Sequence, residues 1–124
     1  MKKRILVLED DIPTADLLKF YFEDDGYEVQ TCSTAKEFNN RIDQFKPDLI
    51  TLDILLPDGH GLDILKELQN SYKTSKIPVL LISIKDSDRE KGLTLGAVGF
   101  LGKPLNETIL KDTIKEIFIN YSWR

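Results

Sequence analysis

Residues 49–59 read LITLDILLPDG, an aliphatic run with one carboxylate, Asp53, in its middle. The run is apolar enough to be buried on both faces, which is typical of a strand inside a parallel sheet. An ionised carboxylate in such surroundings is costly unless a cation or several hydrogen-bond donors compensate it. The stretch therefore predicts a buried strand that ends at Asp53 and presents it to a structural partner, a metal or a substrate.

Similar apolar runs lie on both sides of this stretch. We predict strands over residues 5–8, 27–30, 49–52, 79–82 and 98–101. Apolar residues at the three-to-four spacing of a helix fill the intervals, and the segment at 86–95 is the weakest of them. This alternation, repeated five times, predicts an α/β fold with a doubly wound five-stranded parallel sheet and helices on both faces.

The whole-chain properties exclude several classes of protein. The length of 124 residues predicts one domain, 1–124, and 41% of its residues are hydrophobic and 31% charged. The net charge of -4 argues against nonspecific binding to nucleic acid. No segment is long enough to span a bilayer, and the start MKKRILVLEDD lacks a secretory pattern. The single cysteine, Cys32, excludes an internal disulfide and a cysteine-built metal site. A cytoplasmic protein is the simplest interpretation.

Polar residues follow the predicted strands at the points where these end. Glu9, Asp10 and Asp11 come after the first strand, Asp53 after the third, Ser83 after the fourth and Lys103 after the fifth. Ligands of doubly wound sheets bind at this carboxyl edge. We assign Asp11 to capping the first helix and leave it out of the predicted site.

These residue types suit phosphoryl transfer. Converging carboxylates need a cation, and their hard oxygen ligands suit Mg²⁺ or Mn²⁺. A carboxylate such as Asp53 can attack phosphorus to form an acyl phosphate. Lys103 and Ser83 would supply a positive charge and a hydroxyl donor for the phosphoryl oxygens, and Asp10 would hold the metal with Glu9 behind it.

Four motifs together resemble the receiver domain of two-component response regulators (CheY-like), over essentially the whole chain. They are LVLEDD (6–11), PDLITLDILLPDGHG (47–61), PVLLIS (78–83) and GFLGKP (99–104). The resemblance implies the strand order 2-1-3-4-5 and phosphorylation of Asp53 by a histidine kinase or phosphotransfer protein. It also implies a signalling domain that is not an enzyme, although it catalyses its own phosphotransfer and slow autodephosphorylation. An unknown output domain or target protein would read the signal.

The resemblance further implies a metal site and a switch. Mg²⁺ would be bound by Asp10, Asp53 and the backbone carbonyl of Leu55, with Glu9 acting through water. Ser83 would shift toward the phosphoryl group, and Phe100 would follow it inward. Lys103 would pair with the phosphate, with a cis peptide bond between Lys103 and Pro104. The face built from helix 4, strand 5 and helix 5 would then change its affinity for a partner.

The chain departs from the family pattern at two places. The residue after the switch hydroxyl is small in most receivers but is Ile84 here, and with Leu55 it predicts slow self-dephosphorylation because apolar side chains screen the site from water. Regulators with a winged-helix DNA-binding domain usually carry two acids where this chain has Val98 and Gly99. Their dimer is therefore not carried over, and a phosphorylation-dependent homodimer is left open.

Two other classes of protein fit the same residues poorly. A haloacid-dehalogenase phosphatase needs a second aspartate at the position of Leu55, and a flavodoxin-like nucleotide binder would not place Glu9 and Asp10 after its first strand. The remaining alternative is a phosphorylation-independent receiver-fold module for protein interaction. Phe100 taken alone would be a core residue, and His60 is interpreted as a loop residue without a catalytic role.

Overall fold

The computed structural model describes residues 1–121, so the last three residues of the predicted domain lie outside the described part. The strands of its main sheet are β1 Arg4–Leu8, β2 Glu28–Cys32, β3 Leu49–Leu52, β4 Val79–Ser83 and β5 Gly99–Gly102. The α-helices are α1 Ile12–Asp24, α2 Ala35–Phe45, α3 Gly61–Asn70, α4 Arg89–Thr94 and α5 Glu107–Tyr121. A short 3-10 turn, Asp86–Asp88, precedes α4.

The five strands are all parallel and lie in the order 2-1-3-4-5, which confirms the predicted fold class and strand order. Alternate residues of each strand point to opposite faces, so each face has its own core. Leu6 and Leu8 pack toward α2 and α3, whereas Ile5 and Val7 pack toward α1 and α5. Helices thus cover both faces of the sheet, and its two ends remain for loops.

Side-chain caps define where the first two helices begin. The Asp11 carboxylate accepts a hydrogen bond from the backbone N–H of Thr14 at 3.1 Å, which confirms its capping role. At α2, the Thr34 hydroxyl accepts from the backbone N–H of Glu37 at 3.1 Å. The Glu37 carboxylate in turn accepts from the backbone N–H of Ser33 at 2.9 Å, an arrangement close to a capping box.

Some predicted element bounds were wrong. The second strand was predicted at 27–30 but runs over Glu28–Cys32, because Thr31 and Cys32 pair with Val7 and Leu8 of β1. The fifth strand is displaced by one residue from the predicted 98–101. The fourth helix was predicted over 86–95, but only Arg89–Thr94 is α-helical.

A short antiparallel pairing, which the sequence did not predict, precedes α3. Leu55–Leu56 pairs with Gly59–His60, so the interpretation of His60 as a plain loop residue was wrong. The His60 ring also caps α3, since its Nδ1 accepts a hydrogen bond from the backbone N–H of Leu62 at 3.3 Å. Asp58, in the connecting turn, accepts from the backbone N–H groups of Ala35 and Lys36 at 2.7 and 3.2 Å. The hairpin is thereby fastened to the start of α2.

Across residues 1–121, no helix combines the length and the apolar character needed to cross a membrane.

The thiol of Cys32 is expected to be unreactive in the folded protein. Cys32 is 1% exposed, and burial raises the pKa of its thiol to about 11. Because the thiolate is the nucleophile, iodoacetamide at pH 8 should leave the folded protein unmodified while it alkylates the urea-unfolded chain. Intact mass after timed quenching measures both rates. Equal rates in the two states would contradict the prediction.

Candidate functional site

The residues predicted to carry out phosphoryl transfer lie at the carboxyl edge of the sheet. Glu9 and Asp10 follow β1, Asp53 follows β3, Ser83 ends β4 and Lys103 follows β5. The chain leaves β1 toward β2 on one side, while β3 lies on the other side, so the loops after β1 and β3 diverge there. This divergence forms the crevice in which doubly wound sheets bind ligands.

Three carboxylates converge in this crevice. Glu9, Asp10 and Asp53 each offer an oxygen atom, and these atoms lie within 4.8 Å of one another. Glu9 is 1% exposed and Asp53 7%, whereas Asp10 is exposed to solvent. The Oε1 atom of Glu9 is buried. Hard oxygen donors at these distances, two of them buried, fit a divalent cation such as Mg²⁺.

Lys103 joins two of the three carboxylates. Its Nζ lies 2.6 Å from Glu9 Oε1 and 3.2 Å from Asp53 Oδ2. Both contacts are ion pairs, and the one with Asp53 is also a hydrogen bond that Lys103 donates. The backbone N–H of Lys103 donates to the Ser83 carbonyl at 3.1 Å, and the predicted cis peptide bond between Lys103 and Pro104 is confirmed.

The buried charges of the site alter two pKa values. Burial raises the pKa of the Glu9 carboxyl to about 7; Lys103 opposes this rise and the neighbouring Asp53 adds to it. Burial alone would lower the pKa of Lys103. The two carboxylates beside it outweigh burial, so the pKa of this ammonium is raised and Lys103 is cationic at neutral pH.

Short backbone contacts hold Asp53 in place. Its Oδ1 accepts a hydrogen bond from the backbone N–H of Ile54 at 2.7 Å, and its own N–H donates to the Leu8 carbonyl at 3.0 Å. Gly61 closes the loop that follows, because its N–H donates to the Ile54 carbonyl at 2.6 Å. A Cβ atom on Gly61 would lie 2.2 Å from the Asp53 carbonyl oxygen. This role of Gly61 was not predicted, although its place in the motif DGHG was a signal.

The two predicted switch residues, Ser83 and Phe100, are both buried. Ser83 is 1% exposed, and its hydroxyl accepts a hydrogen bond from the backbone N–H of Lys85 at 3.2 Å. Within residues 1–121, no hydrogen bond joins Ser83 to the carboxylates. Phe100 is 5% exposed and packs in the core on the α2–α3 side of the sheet. Ile84 and Leu55 are both exposed at the surface.

Comparison with known proteins identifies close relatives of the chain. The family model of the response regulator receiver domain matches residues 5–115. The alkaline phosphatase synthesis transcriptional regulatory protein PhoP of Bacillus subtilis (strain 168) is 34% identical over 119 residues, which cover 94% of this chain and 49% of PhoP. The chain therefore spans about half the length of this curated relative.

Solved structures share the same fold. A response regulator receiver domain protein (CheY-like) from Methanospirillum hungatei JF-1 superposes with a TM-score of 0.90 at 28% identity, covering 98% of both chains. The signal receiver domain of a DNA-binding response regulator protein from Colwellia psychrerythraea 34H gives a TM-score of 0.87 at 28% identity, covering 94% of this chain and 98% of that one. Together with the acidic cluster at the edge of the sheet, these matches show that the chain belongs to the response regulator receiver domain family, the signalling domains of two-component systems.

Proposed function

We propose that this receiver domain accepts a phosphoryl group on Asp53 from a histidine kinase or phosphotransfer protein. The observation that carries the proposal is the convergence of Asp53 with Glu9, Asp10 and Lys103 at the carboxyl edge. A structural aspartate needs only one cation beside it. Here three carboxyl groups converge on a single lysine, and a divalent cation would balance the negative charge that Lys103 leaves over.

Mg²⁺ is the proposed cofactor, with Mn²⁺ as a substitute. The Mg²⁺ ion would be held by Asp10, Asp53 and the backbone carbonyl of Leu55, with Glu9 acting through water. Such an ion supplies the positive charge that lets two anions, the carboxylate and the phosphoryl group, approach each other. The burial of Glu9 Oε1 and the mutual distances of the three carboxylates support this assignment.

The reaction would be a transfer between two nucleophiles. An oxygen atom of Asp53 forms a bond to phosphorus while the bond from phosphorus to the imidazole nitrogen of the donor breaks, and that nitrogen keeps the electron pair. The product is an acyl phosphate. Lys103, whose Nζ is already 3.2 Å from Asp53 Oδ2, would pair with one phosphoryl oxygen, and the Ser83 hydroxyl would donate to another.

The output would be a change in the α4–β5–α5 face, reached through Ser83 and Phe100. PhoP is a transcriptional regulatory protein by name, and by analogy an output domain or a separate target would read this face. No direct binding of nucleic acid by the receiver itself is proposed, because its net charge is -4. Val98 and Gly99 stand where related regulators carry two acids of the dimer face, so the dimer of those regulators is not proposed here. A homodimer that forms on phosphorylation through another surface is a separate question for experiment. The proposed location is the cytoplasm, where a kinase domain would meet it.

The proposed function predicts one covalent adduct. After incubation with Mg²⁺ and acetyl phosphate, intact mass should show a single phosphoryl group on the parent chain. The adduct should be absent from Asp53→Asn and from a sample with EDTA, but present on the control Asp112→Asn, which removes an exposed carboxylate on α5. No adduct with acetyl phosphate or with a phosphohistidine protein would instead support an interaction module that works without phosphorylation.

Replacing Ile84 by alanine is expected to shorten the life of this adduct. Ile84 directly follows Ser83 and is 73% exposed, so its side chain is available to screen the acyl phosphate from water. We expect the phosphoryl group to be lost a few times faster from Ile84→Ala than from the parent, measured by intact mass after the donor is removed. Ile109→Ala, which trims an exposed isoleucine on α5, is the control. Equal decay in Ile84→Ala and the parent would count against the prediction.

A further inference from the structure

We infer that Arg89 is a positioning residue that holds Phe100 in its buried position before Asp53 is phosphorylated, an inference that rests on the proposed function of the α4–β5–α5 face. The resemblance to receivers predicted that Phe100 moves inward after phosphorylation. In this structure the Asp53 carboxylate is paired with Lys103, and Phe100 is only 5% exposed.

Arg89 covers the Phe100 ring from the side of α4. Its guanidinium carbon lies 4.7 Å from the ring centroid, well inside the range of a cation–π interaction. Its Nη1 also donates a long hydrogen bond of 3.5 Å to the backbone carbonyl of Phe100. The same side chain therefore contacts both the ring and the strand that carries it.

A second contact fixes the guanidinium itself. Arg89 Nε donates to Asp86 Oδ1 at 3.1 Å, and Asp86 belongs to the turn that follows β4. At the start of that turn, the backbone N–H of Lys85 donates to the Ser83 hydroxyl at 3.2 Å. A continuous set of contacts thus runs from the Ser83 hydroxyl, through the turn and Arg89, to the Phe100 ring.

Packing alone does not confine the ring on its outer side. A cavity of about 210 Å³ lies between α4, β5 and the start of α5, and its lining includes Phe100, Arg89 and Ile109. An outward orientation of the ring has this space beside it. The contact with Arg89 therefore shifts the equilibrium between the exposed and buried orientations of the Phe100 ring toward the buried one. As a result, the conformation of the α4–β5–α5 face depends less on phosphorylation than it would without this contact.

The test is ¹⁹F NMR of the whole chain labelled with 4-fluorophenylalanine, without phosphodonor. Phe100→Leu identifies the Phe100 signal among the six phenylalanines, and a soluble gadolinium chelate reports its exposure. In Arg89→Met, which keeps an apolar stem but lacks the charge, the ratio of exposed to buried ring should rise roughly threefold to tenfold. Arg41→Met, which removes an exposed arginine paired with Glu37 on α2, should leave the Phe100 signal unchanged.

A Phe100 signal as sheltered in Arg89→Met as in the parent would overturn the inference. The signals of the other phenylalanines report whether the variant is folded. If it is not, Asp86→Ala decides, since it keeps Arg89 but removes the oxygen that accepts from its guanidinium, and it should shift the ratio of exposed to buried ring in the same direction by a smaller factor. Intact mass after acetyl phosphate treatment is read separately, so failure of phosphorylation would contradict the proposed function without affecting the result for Arg89.

Discussion

Replacing Gly61 by alanine is expected to lower the free energy of unfolding by about 3 kcal/mol or more. A Cβ atom at this position would lie 2.2 Å from the carbonyl oxygen of Asp53 and 2.7 Å from the Cα of Ile54. Both are backbone atoms, so no side-chain rotation relieves the overlap. The required shift would also disturb the 2.6 Å hydrogen bond from the Gly61 N–H to the Ile54 carbonyl.

The measurement is the urea midpoint of Gly61→Ala beside that of Gly102→Ala. Gly102 also lies near the site, at the end of β5, but a Cβ atom there would meet no other atom within 4 Å. A loss of stability specific to Gly61→Ala isolates the steric contact from the general effect of adding a methyl group. If both variants unfold at the midpoint of the parent, the proposed contact between Gly61 and the backbone of Asp53 is wrong.

Replacing Lys103 by methionine is expected to have opposite effects on metal binding and on phosphorylation. The ammonium lies within 3.2 Å of an oxygen of both Glu9 and Asp53, so it shares these carboxylates with any cation that enters the site. Its removal should therefore tighten Mg²⁺ binding. Phosphorylation of Asp53 should nevertheless become roughly 100-fold slower or worse, because a preorganised positive charge beside the phosphoryl oxygens is lost.

Isothermal titration with Mg²⁺ measures the first effect, and the rate of adduct formation from acetyl phosphate measures the second. Lys66→Met, on the exposed surface of α3, is the control for loss of a positive charge and should change neither quantity. Weaker Mg²⁺ binding by Lys103→Met would show that Lys103 organises the carboxylates instead of competing for them. An unchanged rate of adduct formation would remove Lys103 from the proposed reaction.

The sheet and the position of the site could be predicted because both follow from local patterns. Aliphatic runs such as 49–52 and 79–82 identify buried parallel strands, and the residue after each run necessarily lies at one edge of the sheet. The exact ends of strands could not be predicted in the same way. β2 continues through Thr31 and Cys32 because β1 provides hydrogen-bond partners for them, which is a property of the pairing and not of the segment itself.

Contacts between distant side chains were beyond prediction. Nothing in the sequence near Asp58 indicates that its carboxylate accepts hydrogen bonds from the first residues of α2, which lie 22 and 23 positions earlier. The two-residue pairing before α3 is too short to show the alternation that identifies a strand. The contact of Arg89 with the Phe100 ring depends likewise on side-chain conformations that only the folded chain defines.

The lysine shared between Glu9 and Asp53 imposes an order of events on the proposed reaction. When all three carboxylates are ionised, Lys103 balances only one of them, and the crevice repels an incoming phosphodonor. A divalent cation is attracted by the same excess charge. In the proposed reaction, binding would therefore be ordered, with the cation first and the donor second, and the concentration of free Mg²⁺ would limit how often an encounter with the donor leads to transfer.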